Sequence, residues 1–433
     1  MDVALVLTVV AIFGAIIFLL SMGIWVGLAI GAVGISLVIG VVKMPEIIGP
    51  IIYNSLSSYV LSAIPMFVFM GEIIQQTGFS GRLYEGVSKW TRVLPGGLVH
   101  TNIFSCAFFA AINGSSVATA AAIGTVAYPE QEKRGYNKRL VLGSLAAGGT
   151  LGPMIPPSMA MILYGAFVNE PVGKLFIGTA IPGVLMAIMF MIYIYIRFRL
   201  DPSLGPKSER ITLSYFGNAV RAWVDVWPIA LLALIIFVSI YGGFMTPTEA
   251  AAISAFVALC IALAFRRLTF NALKGAALKA IDITALCFLI IISAKILAAA
   301  LAMLMIPKQL AAMAGVSGLH PMLIWTLIIV MYLILGCFMD GLSMLFLTLA
   351  VVYPLMMSLG FDGIWLGVTV MKVIECGQLT PPVGMNLYVI QGISKQPFEE
   401  VVKGSFPFFL LLLGLIVLCT AFPQLALWLP GTM

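Results

Sequence analysis

GGTLGPMIPPS occupies residues 148–158, inside an apolar run that extends from 140 to 168. As one helix those residues would be about 43 Å long, more than the roughly 30 Å hydrocarbon core of a bilayer. A single helix is not what the stretch encodes, because Gly148, Gly149, Gly152, Pro153, Pro156 and Pro157 crowd its centre. A proline supplies no hydrogen bond to the carbonyl four residues before it, so Pro153 releases Gly149 and Pro156 releases Gly152. The run reads as two half-helices joined by an extended segment. A second run, 362–390, carries GQLTPPVG at 377–384 and reads the same way, with Pro381 and Pro382 releasing Gly377 and Gln378.

The chain around these breaks is strongly apolar. Of its 433 residues 62% are hydrophobic and 9% charged, against about 25% charged in soluble domains. That excludes an ordinary soluble protein and predicts an all-α polytopic membrane protein in contact with membrane lipids. In such a chain the net charge of +6 reports loop topology, and nucleic acid is not an expected partner. The six cysteines (Cys106, Cys260, Cys287, Cys337, Cys376, Cys419) stand singly in apolar stretches and read as buried small hydrophobes. Only Met1 and Asp2 precede the first apolar run, and no Lys or Arg occurs before Lys43. The basic start of a secretory signal is missing, so the N-terminal run is expected to be a retained span.

Ten full spans are expected near 3–20, 24–41, 51–78, 140–168, 176–197, 226–243, 248–265, 281–305, 362–390 and 405–430. Two further apolar segments, 96–128 and 321–358, are interrupted by the polar clusters Asn113-Gly114-Ser115-Ser116 and Asp340-Gly341-Leu342-Ser343. Their arms rise about 22 to 27 Å each, short of a comfortable crossing, and read as re-entrant hairpins with polar tips at membrane depth. With both termini outside, eighteen Lys and Arg, Arg210 among them, fall on the cytoplasmic side, and only Lys43, Lys174 and Lys308 on the other. This is the asymmetry of the positive-inside rule.

The two halves also echo each other. GFSG at 78–81 returns as GVSG at 315–318, the tip NGxS as DGxS, Tyr128-Pro129 as Tyr353-Pro354, and Leu163-Tyr164 as Leu387-Tyr388. Residues 1–197 and 222–433 therefore read as inverted repeats of five spans plus one hairpin, joined by a basic cytoplasmic connector at 198–221. Inverted repeats with broken helices are characteristic of secondary transporters whose site lies where the repeats meet. Freed carbonyls, together with the tip oxygens of Asn113, Ser115, Ser116, Asp340 and Ser343, suit a hard cation such as Na⁺, one site per repeat.

Other polar residues read more simply. Lys295 could oppose an anionic substrate, form a structural ion pair or snorkel. Lys372 and Glu375, three apart on one helix, are expected to neutralise each other. Glu249 reads as the third residue of a capped helix start. His100 and His320, with Trp90, Trp223 and Trp227, are expected at interfaces. No phosphate-binding loop, zinc spacing or nucleophile elbow appears, so an enzyme is not expected.

NGSSVATAAAIG (113–124), GGTLGPMIPPS (148–158), MDGLSM (339–344), LGFDGIW (359–365) and GQLTPPVGMNLYV (377–389) closely resemble the large membrane subunit of tripartite ATP-independent periplasmic (TRAP) transporters, over essentially the whole chain. The family commonly shows SGSS where Asn113 begins this tip; the amide still offers an oxygen. The resemblance implies an ion-transporter-superfamily fold of elevator type and a bacterial inner-membrane, Na⁺-coupled importer of organic acid anions, such as carboxylates, sialic acid or sulfonates. It also implies two partners, a small four-helix membrane subunit and a periplasmic substrate-binding protein, with Na⁺ as coupling ion and no other cofactor. By position, Asn113, Ser115, Gly149, Gly152 and Pro153 would form one Na⁺ site, and Asp340, Ser343, Gly377 and Thr380 the other. Ser116, Ser158, Pro382 and Asn386 would face the substrate. The runner-up is a stand-alone Na⁺ or H⁺ symporter or antiporter of the same superfamily.

Overall fold

The computed structural model describes residues 3–207, 213–316 and 318–432; Arg210 and Ser317 of the sequence reading lie outside them. Among the described residues all regular structure is helical. The first half contains α1 (Val3–Ser21), α2 (Val26–Leu37), α3 (Ile48–Leu56), α4 (Ala63–Gln76), α5 (Phe79–Thr91), α6 (Gly97–Asn113), α7 (Ser116–Lys133), α8 (Lys138–Gly149), α9 (Met159–Val168) and α10 (Val172–Leu200). The second contains α11 (Leu213–Tyr241), α12 (Pro247–Ala264), α13 (Phe270–Met303), α14 (Ile306–Val316), α15 (Pro321–Gly336), α16 (Gly341–Ser358), α17 (Gly363–Gly377), α18 (Met385–Ser394), α19 (Phe398–Ala421) and α20 (Gln424–Leu427).

Local chemistry sets many of these boundaries. Asn137, Ser158, Thr269, Asp340 and Asp362 each cap a helix by accepting a backbone N–H with the side chain. Thr246 and Glu249 form the capping box expected at the head of α12. Both anticipated hairpins are helix pairs, α6 with α7 and α15 with α16, and their arms pack against each other. Both anticipated broken helices are present as α8 with α9 and α17 with α18.

Several expectations change. The span expected at 51–78 is two segments bent by 52°; Ser57 and Ser58 fall in the break, and the Ser57 hydroxyl bonds back to the Tyr53 carbonyl, the kind of local competition that ends helices. The span expected at 405–430 is α19, which stops at Ala421 before Pro423, with the short α20 following it. α13 starts at Phe270, eleven residues ahead of the expected 281, because the Thr269 hydroxyl caps its first turn by accepting the Ala272 N–H. Six unbroken helices, in place of ten spans, are long and apolar enough to cross a bilayer among the described residues, the remaining runs being shorter or broken. α5 and α14 are helices that the hydropathy pattern did not mark. Cys260 is exposed and Cys337 only half-buried, against the expectation for both.

The helices fall into two groups. α13 packs along α2 and α4, α12 packs on α4, and α11 joins α12. The other group interlaces the two halves: α8 crosses α19, α7 lies on α18, and α10 contacts α17 and α19. At the α8/α19 crossing a Cβ on Gly143 would overlap Gly404, and one on Gly404 would overlap the Arg139 carbonyl, so only glycine lets the backbones touch. α5 bridges the groups. Asp225 of α11 takes Lys89 at 2.8 Å and Arg82 at 3.1 Å, and Trp90 donates to the Ala219 carbonyl at 3.0 Å while packing on Trp223. Trp90 is thus a helix-packing residue, and His100, 2% exposed and bonded to the Pro95 carbonyl at 3.0 Å, is buried rather than interfacial.

Candidate functional site

Each hairpin tip lies against the break of its own half. In the first half a Cβ on Gly152 would come within 2.5 Å of the Ser115 carbonyl, and one on Gly114 within 2.7 Å of the Pro157 carbonyl. In the second half Gly336, ending α15, meets Gly377 backbone to backbone, and Gly341, opening α16, lies beside the Gln378 amide. The glycines of both motifs therefore serve close approach of hairpin to break.

The breaks themselves are tighter than proline placement implied. The Gly149 carbonyl accepts Gly152 N–H at 2.8 Å, and the Gly377 carbonyl accepts Thr380 N–H at 2.9 Å. Both lose the four-residue bond to a proline as anticipated, but regain a three-residue one, so neither is free of hydrogen bonds. The Gly152 and Gln378 carbonyls accept no backbone bond among the described residues. Thr380 donates its hydroxyl to the Cys376 carbonyl at 2.9 Å, which leaves its lone pairs available.

One cavity of about 100 Å³ lies between the tips. Gly114, Ser115, Ser116, Pro153 and Met159 border it from the first half, and Asp340, Gly341, Met371, Glu375 and Gln378 from the second. Of the residues singled out in the sequence, Ser115, Ser116, Pro153 and Asp340 come together here. Ser115 caps α7 by accepting Ala118 N–H at 3.4 Å. Asp340 caps α16 by accepting Ser343 N–H at 3.2 Å, and also takes the Ser343 hydroxyl. Asn386 of α18 donates to Ser116 at 2.7 Å, joining the broken helix of one half to the tip of the other. Asn113, Gly149, Gly152, Ser343, Gly377 and Thr380 are not among the residues that border it. Ser158 is fully buried as the cap of α9, and Pro382 is exposed and does not line the cavity.

Glu375 was not assigned to the site from sequence, Gln378 entered only through its released carbonyl and not its side chain, and the expected Lys372–Glu375 pair is absent. Glu375 faces the cavity and takes the Gln378 amide at 3.4 Å, while Lys372 has the Cys419 thiol of α19 as its polar neighbour. A spacing of three permits contact along a helix without compelling it. Lys295 is half-buried in α13 and makes no ion pair among the described residues.

Residues 10–425 match the family described as "Tripartite ATP-independent periplasmic transporter, DctM component". The chain belongs to this family. It is 33% identical over 385 residues to the C4-dicarboxylate TRAP transporter large permease protein DctM of Pseudomonas aeruginosa, covering 88% of each protein. It is 31% identical to the isethionate TRAP transporter permease protein DctMQ of Oleidesulfovibrio alaskensis, over 97% of this chain and 66% of that protein's length. Among solved structures it is similar to the YdaH transporter of Alcanivorax borkumensis, with a TM-score of 0.60, 16% identity and 88% of each chain covered. That likeness concerns fold alone. As a member of the DctM family the chain is a multi-pass membrane component of a transporter.

Proposed function

We propose that this chain is the large membrane subunit of a Na⁺-coupled secondary transporter that imports an organic acid anion, acting as a carrier and not as an enzyme. It would work in the bacterial inner membrane, with both termini periplasmic, alongside a small four-helix subunit and a periplasmic substrate-binding protein. The observation that carries this reading is the single cavity bordered by both hairpin tips and both helix breaks. Broken helices that present hydroxyls, carbonyls and helix N-termini to one point are the elements from which coupled transporters build ion and substrate sites. The two relatives named for isethionate and for a C4-dicarboxylate support a small organic anion as cargo.

Na⁺ prefers oxygen ligands, and the donor set fits. The Gly152 carbonyl accepts no backbone bond, and Gly152 packs against Ser115; in this reading Ser115 and the preceding Asn113 would add side-chain oxygens, with Gly149 and Pro153 shaping the turn. In the second half Asp340, Ser343 and Thr380 would supply the oxygens, with Gly377 in the break. Ser116, held by Asn386, faces the cargo. Alternating access follows if the group carrying both tips moves against the group of α2, α4, α12 and α13, with α5 and α14 as connecting arms. In inverted-repeat transporters such a displacement carries the site from one side to the other.

Reconstitution of the chain with both partners in proteoliposomes tests this reading. Uptake of succinate, gluconate or a sulfonate is expected under an inward Na⁺ gradient and is lost when choline replaces Na⁺ or when either partner is left out. Equal uptake in choline would contradict Na⁺ coupling, and transport by the chain alone would favour a stand-alone symporter.

A further inference from the structure

The cavity wall contains no lysine, arginine or histidine, although the proposed cargo is an anion. It does contain the carboxylates Asp340 and Glu375, so the groups open to an anion are backbone: Ser116 and Val117 open α7, Gly341 and Leu342 open α16, and all four border the cavity. The first N–H groups of a helix lack intrahelical acceptors and lie at the positive end of its dipole. The α17 side differs in kind. Gln378 is 3% exposed and borders the cavity; its Nε2 donates to Glu375 Oε1 at 3.4 Å, and its Oε1 has no hydrogen-bond partner. Glu375 is fully buried, with the Ser116 hydroxyl as a further polar neighbour. A buried amide oxygen without a partner, on a residue that borders a cavity, is costly unless an incoming group donates to it.

We propose that Gln378 is a specificity-determining residue whose amide oxygen accepts a hydrogen bond from a hydroxyl of the cargo, which is therefore a hydroxylated organic acid anion. This rests on the reading of the cavity as the substrate site. The cargo's carboxylate lies at the helix N-termini of the tips, and its hydroxyl lies at Gln378. Glu375 is a positioning residue: by engaging Nε2 it turns the oxygen end of the amide toward the cavity. An unsubstituted alkane carboxylate leaves that oxygen unpaired, and sites built to bond a hydroxyl reject analogues lacking it far more strongly than apolar pockets reject a size change.

The test is equilibrium binding of gluconate, hexanoate and succinate to the purified full chain, in NaCl and in choline chloride. Gluconate and hexanoate share chain length and carboxylate and differ in hydroxyls. Wild type is expected to prefer gluconate to hexanoate by roughly tenfold or more. Gln378→Met keeps the side-chain length without the amide and is expected to abolish that preference, by weakening gluconate binding and, with no amide oxygen left unpaired, strengthening hexanoate binding. Glu375→Gln is expected to reduce the preference in the same selective way, a readout that a purely structural role would not move. Equal binding of gluconate and hexanoate by wild type overturns the proposal, even if the variants fail to fold, and so does a preference that survives in Gln378→Met. If succinate binds in a Na⁺-dependent way and gluconate does not, the transport reading stands and this inference falls. If none of the three binds in NaCl, both fall.

Discussion

At the head of α16 Asp340 accepts the Ser343 N–H, and an asparagine in its place would accept it equally well. Asp340→Asn therefore keeps the cap and removes only the charge. Its folding and membrane insertion are expected to resemble wild type, while the Na⁺ concentration for half-maximal uptake rises roughly tenfold to a hundredfold, in line with about 1.5–3 kcal/mol for losing a charged partner. Ser343→Ala is expected to act in the same direction and less strongly, since it deletes one neutral oxygen. Wild-type Na⁺ dependence in Asp340→Asn would leave the carboxylate with the capping role alone. Asp340, Ser115 and Ser116 were legible in the sequence because polar, glycine-containing clusters inside apolar runs need a reason to be there. Gln378 was noted only as a released carbonyl and Glu375 only as the partner of Lys372. Their facing the cavity depends on how α17 is rotated against the tip of its own half and the tip of the other, and spacing along one helix carries no such information.

At the scale of elements, the base of the first hairpin is held by a buried polar network. The Gln131 amide nitrogen of α7, which has two hydrogens to donate, lies within hydrogen-bond distance of the Tyr84 hydroxyl of α5 (2.8 Å), the Leu98 carbonyl (3.1 Å) and the Asn102 amide oxygen of α6 (2.5 Å). Asn102 donates in turn to Ser144 of α8 at 2.8 Å. Gln131, Asn102 and Ser144 are fully buried, so Gln131→Leu strands partners that water cannot reach. It is expected to cost about 1–3 kcal/mol, seen as a lower unfolding midpoint for the purified protein, and an unchanged midpoint would show that the network holds nothing together. The broken helices were readable because proline and glycine act on the backbone locally. α5 was not, because FSGRLYEGVSKWT at 79–91 mixes charge with apolar residues, and what buries one face of it is α11, more than a hundred residues away.

For the whole molecule, the order of hairpin, broken helix and closing helix in each half was visible as repeated motifs, and the same order of elements is present in the structure. The interlacing was not visible: α8 on α19, α7 on α18 and Asn386 on Ser116 are contacts between halves, and repeated motifs give the likeness of two halves without their docking. That docking is what brings both tips to one cavity, and the account's central claim is that the assembled tips and breaks bind Na⁺. A ligand that binds the folded state alone stabilises it by an amount set by its concentration over its dissociation constant, about 2.7 kcal/mol at a hundredfold excess. The most direct test is the unfolding midpoint of the purified chain in NaCl and in choline chloride at equal ionic strength, for wild type and Asp340→Asn. The account predicts a higher midpoint in Na⁺ for wild type and a clearly smaller difference for the variant. Identical midpoints in the two salts for wild type, across Na⁺ concentrations that saturate uptake, would contradict it.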